Sequence, residues 1–330
     1  MPVTPPNLFQ HAMDNSNDEF ASPSDLAILL NAIGSAGKFI SSEINRAALR
    51  DFFGSAGAAN VTGDDQQKLD VIGDNVVAEA LLTTGLVCAM SSEENAGMID
   101  CGDAAVTGEY VVVFDPVDGS SNIDVAAPIG TIFGIYRRLS EGVPAGDVDV
   151  LRPGSEMLAA GYVLYGSSTI FAYTSGDGVH FFTLDPTLGD YLLTNENVRL
   201  HGSSRVYSAN EGNSSKWHDA DQNWVAHVKS EGYTGRYIGA LVADFHRNLM
   251  KGGIYAYPGD KGNPSGKLRL LFECAPLAFI AEQAGGAATN GTTRIRDLEP
   301  DQLHHRTPMY IGNADEVALL EGFHVTSSNR

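Results

Sequence analysis

Apolar positions along the chain fall into two alternating regimes. Leu26, Leu29, Leu30, Ile33, Gly37, Ile40 and Ile44 recur at steps of three and four, which predicts an amphipathic helix. Ser24 suits its N-cap and Asp25 its positive end. A second helical period runs from Lys68 to Leu86, with Leu69, Ile72, Val76, Val77, Ala80 and Leu81 on its apolar side. The pattern then changes to continuous apolar runs at 87–90, 110–114 and 130–136, the length and β-branched composition of buried strands. Shorter strands follow at 162–165, 169–173, 179–184 and 191–194, with Ser-Gly-Asp-Gly at 175–178 marking a hairpin. So strand-rich a middle predicts a mixed sheet. Beyond it come a strand at 205–209, helices at 217–229 and 241–250, a strand at 253–257, and an apolar helix opened by Glu273 and stopped by Gly285-Gly286. Residues 7–22 are polar and turn-rich, the pattern of a mobile arm. Residues 53–66 hold three glycines and suit either a lid carrying Asp64 or Asp65 or a surface linker.

At 330 residues the chain exceeds one ordinary core, which predicts an N-terminal lobe over 1–197 and a C-terminal lobe over 198–330. No apolar stretch approaches a membrane span, and the N-terminus lacks a signal-peptide pattern. Three cysteines without C-x-x-C spacing suit a reducing, cytoplasmic setting. The net charge of −20 excludes nucleic acid as a partner. It does not exclude a small phosphorylated substrate, because divalent cations invert the local field around carboxylates.

The candidate chemistry lies where strands end. The 110–114 run stops at Asp115-Pro116-Val117-Asp118, followed by Gly119-Ser120-Ser121-Asn122, a permissive backbone rich in short donors. In isolation this suits a capped turn with Asp115 and Asp118 closing Asx-turns. The 87–90 run, however, also ends in carboxylates, Glu93 and Glu94. Together with Asp64, Asp70 and Glu273 they form an oxygen-only set that would repel itself without cations and suits Mg²⁺ or Mn²⁺. Asn210, Arg236, Lys267 and Arg269 add amide and basic groups for a phosphorylated substrate. Neither a G-x-x-x-x-G-K-[ST] loop nor a G-x-S-x-G elbow occurs, so metal-assisted phosphate-monoester hydrolysis is the reaction class indicated.

At Asp115–Asn122 the chain resembles the class I fructose-1,6-bisphosphatases, within the sugar-phosphatase superfamily that includes inositol monophosphatase. The likeness extends through 60–64, 68–71, 92–95, 130–133, 207–212, 236–239, 242–247, 252–255 and 266–274, nearly the whole chain. It implies an α/β, five-layered α-β-α-β-α fold with two mixed sheets, and Mg²⁺-dependent removal of the 1-phosphate of fructose 1,6-bisphosphate. By this resemblance Glu93, Asp115, Asp118, Glu273 and the Val117 carbonyl would hold two or three Mg²⁺. Asp64 would lie near a third metal or the mobile loop. Glu94 and Asp70 would activate the attacking water, and Gly119, Ser120 and Ser121 would cradle the 1-phosphate beside Asp118. Asn210, Tyr237, Tyr257 and Lys267 would hold the sugar and 6-phosphate. Arg236 would reach a neighbouring subunit's site, implying a homotetramer.

The chain departs from that family's pattern in several places. Asn213 stands where a tyrosine often supplies a 6-phosphate hydroxyl. The Thr- and Gly-rich segment of the AMP-inhibition site reads Pro23–Ala27 here, and its lysine is Glu109, while Arg137 is kept. Weak or absent AMP inhibition is the expectation, and without cysteine in 140–155 no chloroplast-type redox switch is expected. A sedoheptulose-1,7-bisphosphatase or dual-specificity enzyme fits the same pocket residues. An inactive regulatory homologue would have little reason to keep seven carboxylates together.

Overall fold

The computed structural model describes residues 5–17, 19–46, 49, 55–59, 65–202 and 204–328. Helices α1 (Leu8–Asp14), α2 (Pro23–Ile44) and α3 (Lys68–Leu82) bracket a small antiparallel hairpin, β1 (Ser55–Ala59) with β2 (Asp65–Gln67). Seven strands then form one sheet in sequence order: β3 (Val87–Ser92), β4 (Tyr110–Asp118), β5 (Ile129–Arg137), β6 (Met157–Tyr165), β7 (Thr169–Thr174), β8 (His180–Asp185) and β9 (Asp190–Asn195). Only β3 and β4 pair in parallel; every later pair is antiparallel. Short helices α4 (Ala104–Thr107) and α5 (Asp147–Val150) sit in its connections.

The second sheet is ordered β11 (Thr234–Gly235), β10 (Val206–Ser208), β12 (Ile254–Tyr257), β14 (Met309–Asn313), β13 (Gly286–Thr289), and it too is mixed. Helices α7 (Leu241–Lys251) and α8 (Ala275–Gln283) lie between the sheets, while α6 (Asp219–Ser230) and α9 (Ala314–Ser328) cover the outer face of the second. The layers therefore run α-β-α-β-α, with two mixed sheets. Strand β4 shows why the seven-stranded sheet is apolar on both faces. Val111 and Val113 join the core around α7 and α8, whereas Tyr110, Val112 and Phe114 join the core under α1–α3. Alternating side chains thus serve two cores at once, which gives a continuous apolar run rather than an alternating one.

Residues 7–22 are not a free arm. Asn7 and Gln10 form a reciprocal capping box, Leu8 and Ala12 are buried, and the Leu193 N–H donates to the Pro6 carbonyl at 3.0 Å. Polar composition concealed a capped helix docked on β9. The N-cap of helix α2 lies two residues earlier than expected, at Ser22 rather than Ser24, with Pro23 in the first turn, where a missing N–H costs nothing. The second helical period ends at Leu82 rather than Leu86. Strand β13, strand β14 and helix α9 carry no clear period in the sequence and appear only in the structure.

Candidate active site

Strand β4 delivers the first carboxylates. Beyond Phe114 it has lost β3 as a neighbour, since Ser92↔Phe114 is the last pair, but it stays paired to β5. Pro116 therefore sits where no ladder hydrogen bond is lost. The register shifts between Asp115↔Ile132 and Asp118↔Gly130, so β4 bulges and continues to Asp118 instead of stopping at Asp115-Pro116. The Thr131 hydroxyl fixes the bulge by donating to the Pro116 carbonyl at 2.7 Å. Asp115 does close an Asx-turn, accepting the Val117 N–H at 2.9 Å on Oδ1. The turn and the cluster are compatible, because a carboxylate has further lone pairs to offer.

Glu93 follows directly on β3, and its N–H donates to the Phe114 carbonyl at 3.1 Å. Glu273 arrives from the other half of the chain. It lies inside a π-turn, Leu270–Cys274, ahead of α8, rather than opening the helix. Its carboxylate accepts the Arg269 N–H at 2.5 Å, which locks the turn. Carboxylate oxygens of Glu93, Asp115 and Glu273 lie within 4.8 Å of one another. Asp118 stands beside them, its Oδ2 accepting the Val242 N–H at 2.7 Å in the first turn of α7. That helix N-terminus is a stabiliser the sequence reading missed.

Burial pushes the Asp115 carboxyl well above its usual range, and the charges of Glu93, Asp118 and Glu273 add to the effect. Asp118 is raised to about 7, mainly by burial, against the lowering pull of the Val242 N–H. Glu273 is raised by burial and by Glu93. One cation is built in: the Arg269 guanidinium pairs with Glu93 at 3.0 Å. Four crowded carboxylates against one arginine leave an excess of negative charge in a buried place, and the donors are all oxygen. Such a set fits a hard divalent cation.

These groups line a cleft of about 350 Å³ together with Asp70, Glu94, Val117, Gly119, Ser120, Ser121, Tyr237, Tyr257, Lys267 and Arg269. Asp70 is buried in the first turn of α3. Gly119 holds φ at +79° and opens a 3₁₀ turn, Ser120–Val125. A smaller adjoining pocket of about 100 Å³ shares Tyr257 and Lys267 with the cleft and is also lined by Asn210, Asn213 and Lys216. Tyr237 lines the cleft and Asn210 the adjoining pocket. Arg236 is not among the residues lining either space; it is exposed, with Nη1 donating to the Gly235 carbonyl at 2.8 Å. Asp64, with positions 53–54 and 60–63 of the expected lid, lies outside the described residues, while the described parts of that stretch form the β1–β2 hairpin.

The supporting groups were not legible in advance. Asp244 accepts the N–H groups of Ile238 and Gly239 at 2.9–3.0 Å and thereby shapes the Tyr237 loop. The Asn95 side chain donates to Asp74 at 2.8 Å, tying the Glu93-Glu94 turn to α3. Asp74 stands out only as the residue four after Asp70, a weak signal.

Two family models cover the chain: the N-terminal domain of fructose-1-6-bisphosphatase over residues 7–196 and its C-terminal domain over 200–325. The class 1 fructose-1,6-bisphosphatase of Maridesulfovibrio salexigens is 47% identical over 306 residues, 90% of each chain. That of Chlorobium luteolum is 46% identical over 321 residues, 95% of this chain and 96% of the relative. The crystal structure of Leishmania major fructose-1,6-bisphosphatase in holo form superposes with a TM-score of 0.92 at 39% identity, covering 98% of this chain and 99% of that one. With likeness of sequence and fold along nearly its full length, this chain belongs to the class 1 fructose-1,6-bisphosphatase family.

Proposed function

We infer that this protein, a fructose-1,6-bisphosphatase by homology, removes the 1-phosphate of its substrate in the carboxylate-lined cleft. The observation that carries this reading is the meeting of Glu93, Asp115 and Glu273, from three separate elements, within 4.8 Å. Glu93, Asp115, Asp118, Glu273 and the Val117 carbonyl would hold Mg²⁺, two or three ions per site, with Mn²⁺ as a substitute. Bound there, the ions supply charge neutralisation for the phosphate and lower the pKa of water. Glu94 and Asp70, which line the same cleft, orient the attacking water and receive its proton. As the water oxygen bonds phosphorus, the bond from phosphorus to the sugar oxygen breaks, and the sugar oxygen takes up a proton from solvent to leave as a hydroxyl. Gly119, Ser120 and Ser121 offer short donors to the phosphate oxygens at the start of a 3₁₀ turn. Tyr237, Tyr257 and Lys267 line the far side of the cleft and, with Asn210, hold the sugar and its second phosphate. Arg269, already paired with Glu93, shapes the carboxylate cluster as it faces the substrate. Exposed Arg236 is free to serve a neighbouring subunit's site in a homotetramer.

The test is phosphate release from fructose 1,6-bisphosphate with and without EDTA. Turnover abolished by EDTA and restored by Mg²⁺ is the expected result; turnover indifferent to EDTA would overturn the reading. A second substrate is favoured by one feature, Asn213 on the wall of the adjoining pocket in place of a bulky aromatic. Comparable kcat/KM on sedoheptulose 1,7-bisphosphate would establish dual specificity.

A further inference from the structure

A second cluster of ligating side chains lies on the far edge of the seven-stranded sheet. His11 projects from α1, His180 is the first residue of β8, and Glu196 follows β9. Both imidazoles are buried, 3% and 4% exposed, with ring centroids 4.5 Å apart. Their protonation can be read from their partners. His180 Nε2 lies 3.0 Å from the Asp177 carbonyl, which can only accept, so Nε2 carries the proton and Nδ1 is a bare lone pair. His11 Nδ1 lies 2.7 Å from the Tyr173 hydroxyl. The two remaining nitrogens, His11 Nε2 and His180 Nδ1, are buried without a hydrogen-bond partner. His11 Nε2 is 3.7 Å from Glu196 Oε1, and one ligand atom from each of the three residues falls within 4.8 Å of the others. Burial and His180 keep the His11 imidazole below its ordinary pKa, hence neutral and able to ligate.

Two aromatic-stacked core histidines would be the simpler account, and His11 does pack edge-on against Tyr173 and Phe182. Packing leaves two buried ring nitrogens unsatisfied, however, which is costly in a buried place. It also gives no reason for them to converge on one carboxylate. We propose that His11, His180 and Glu196 form a transition-metal site, of the Zn²⁺ class, that fastens helix α1 to the edge of the sheet. Two imidazoles and a carboxylate suit Zn²⁺, Co²⁺ or Ni²⁺ rather than the hard cations of the cleft. Tyr173 and the Asp177 carbonyl act as outer partners that orient the rings. Glu196, 58% exposed, leaves the outward coordination position to water.

Zn²⁺ and Co²⁺ titrations of the full-length protein in excess Mg²⁺ test this. The wild type should bind one Zn²⁺ per chain that excess Mg²⁺ does not displace. Co²⁺ should give visible bands of nitrogen ligation that persist in Asp115→Asn, which separates this site from the cleft. Glu196→Ala and Tyr173→Phe should each weaken Zn²⁺ at least about tenfold, and His180→Asn should abolish binding. Zn²⁺ should raise the unfolding temperature of the wild type but not of Glu196→Ala. Equal Zn²⁺ affinity in wild type and Glu196→Ala, or no Zn²⁺ beyond that competed by Mg²⁺, would overturn the proposal. Should His180→Asn fail to fold, the exposed Glu196 variant decides alone.

Discussion

Asp118 illustrates how one side chain serves both fold and site. Its Oδ2 accepts the Val242 N–H, and its remaining lone pairs face the cleft. Asparagine can keep the Val242 hydrogen bond through its amide oxygen while surrendering the charge. Asp118→Asn should therefore fold with an unchanged circular dichroism spectrum and lose turnover. Glu94→Gln should behave likewise, since an amide cannot take the proton of the attacking water, a loss of about 100- to 10,000-fold. Either variant retaining more than a tenth of wild-type activity would remove the residue from its assigned role. Legibility in the sequence divides along the same line. The carboxylates stood out because they ended apolar runs. Thr131 and Asp244 did not, because a buried hydroxyl or carboxylate that braces a loop has no spacing signature.

Among elements, the turn after β4 is the most constrained. Gly119 combines φ of +79° with a close approach: a Cβ there would lie 2.4 Å from the Ala240 Cβ, just ahead of α7. Gly119→Ala must either flatten the turn or push that helix start, moving the Val242 donor from Asp118. A stability loss of at least about 1 kcal/mol, read from urea unfolding, should accompany a fall in kcat on the order of 100-fold. The start of α2 carries the regulatory expectation. Glu109 pairs with Arg137 at 3.0 Å, while the Tyr110 hydroxyl donates to Asp25 at 2.7 Å. The arginine kept from the family's AMP site is thus answered by an acid that the nucleotide would have to displace. Micromolar AMP should leave the rate of phosphate release unchanged; inhibition in that range would refute the expectation. Helix α1 shows what element-level reading misses. Its apolar face is only Leu8 and Ala12, too short for periodicity, and its stability comes from a capping box and from β9.

For the whole molecule, the consequence of gathering carboxylates between two halves is a pH-dependent demand for cations. Asp118 in the metal-free fold keeps its proton up to about 7, whereas in the unfolded chain it ionises in the ordinary carboxylate range near 4. Between those values the folded state holds more protons, so metal-free stability falls as pH rises and stays lowered above 7. Mg²⁺ held there as proposed would bind the ionised form and reverse this. The gain in unfolding free energy from Mg²⁺ should be larger at pH 8 than at pH 6, approaching about 2.7 kcal/mol at a hundredfold excess over Kd. A gain independent of pH would contradict the burial of these groups. Assembly is testable through Arg236. If it completes a neighbour's site in the proposed homotetramer, Arg236→Ala should raise KM with little change in kcat, with the assembly size by light scattering the same as that of the wild type.

Sequence alone determined the strands and helices whose apolar positions repeat, the oxygen-only donor set and the family likeness, because each is written in local spacing or residue type. It could not determine which strand ends meet. Glu93 and Asp115 are neighbours because β3 and β4 pair in parallel, and Glu273 joins them across more than 150 positions because α8 packs between the sheets. The same holds for His11, His180 and Glu196, which are spread over more than half of the chain. Long-range packing sets these distances, and no local period records it.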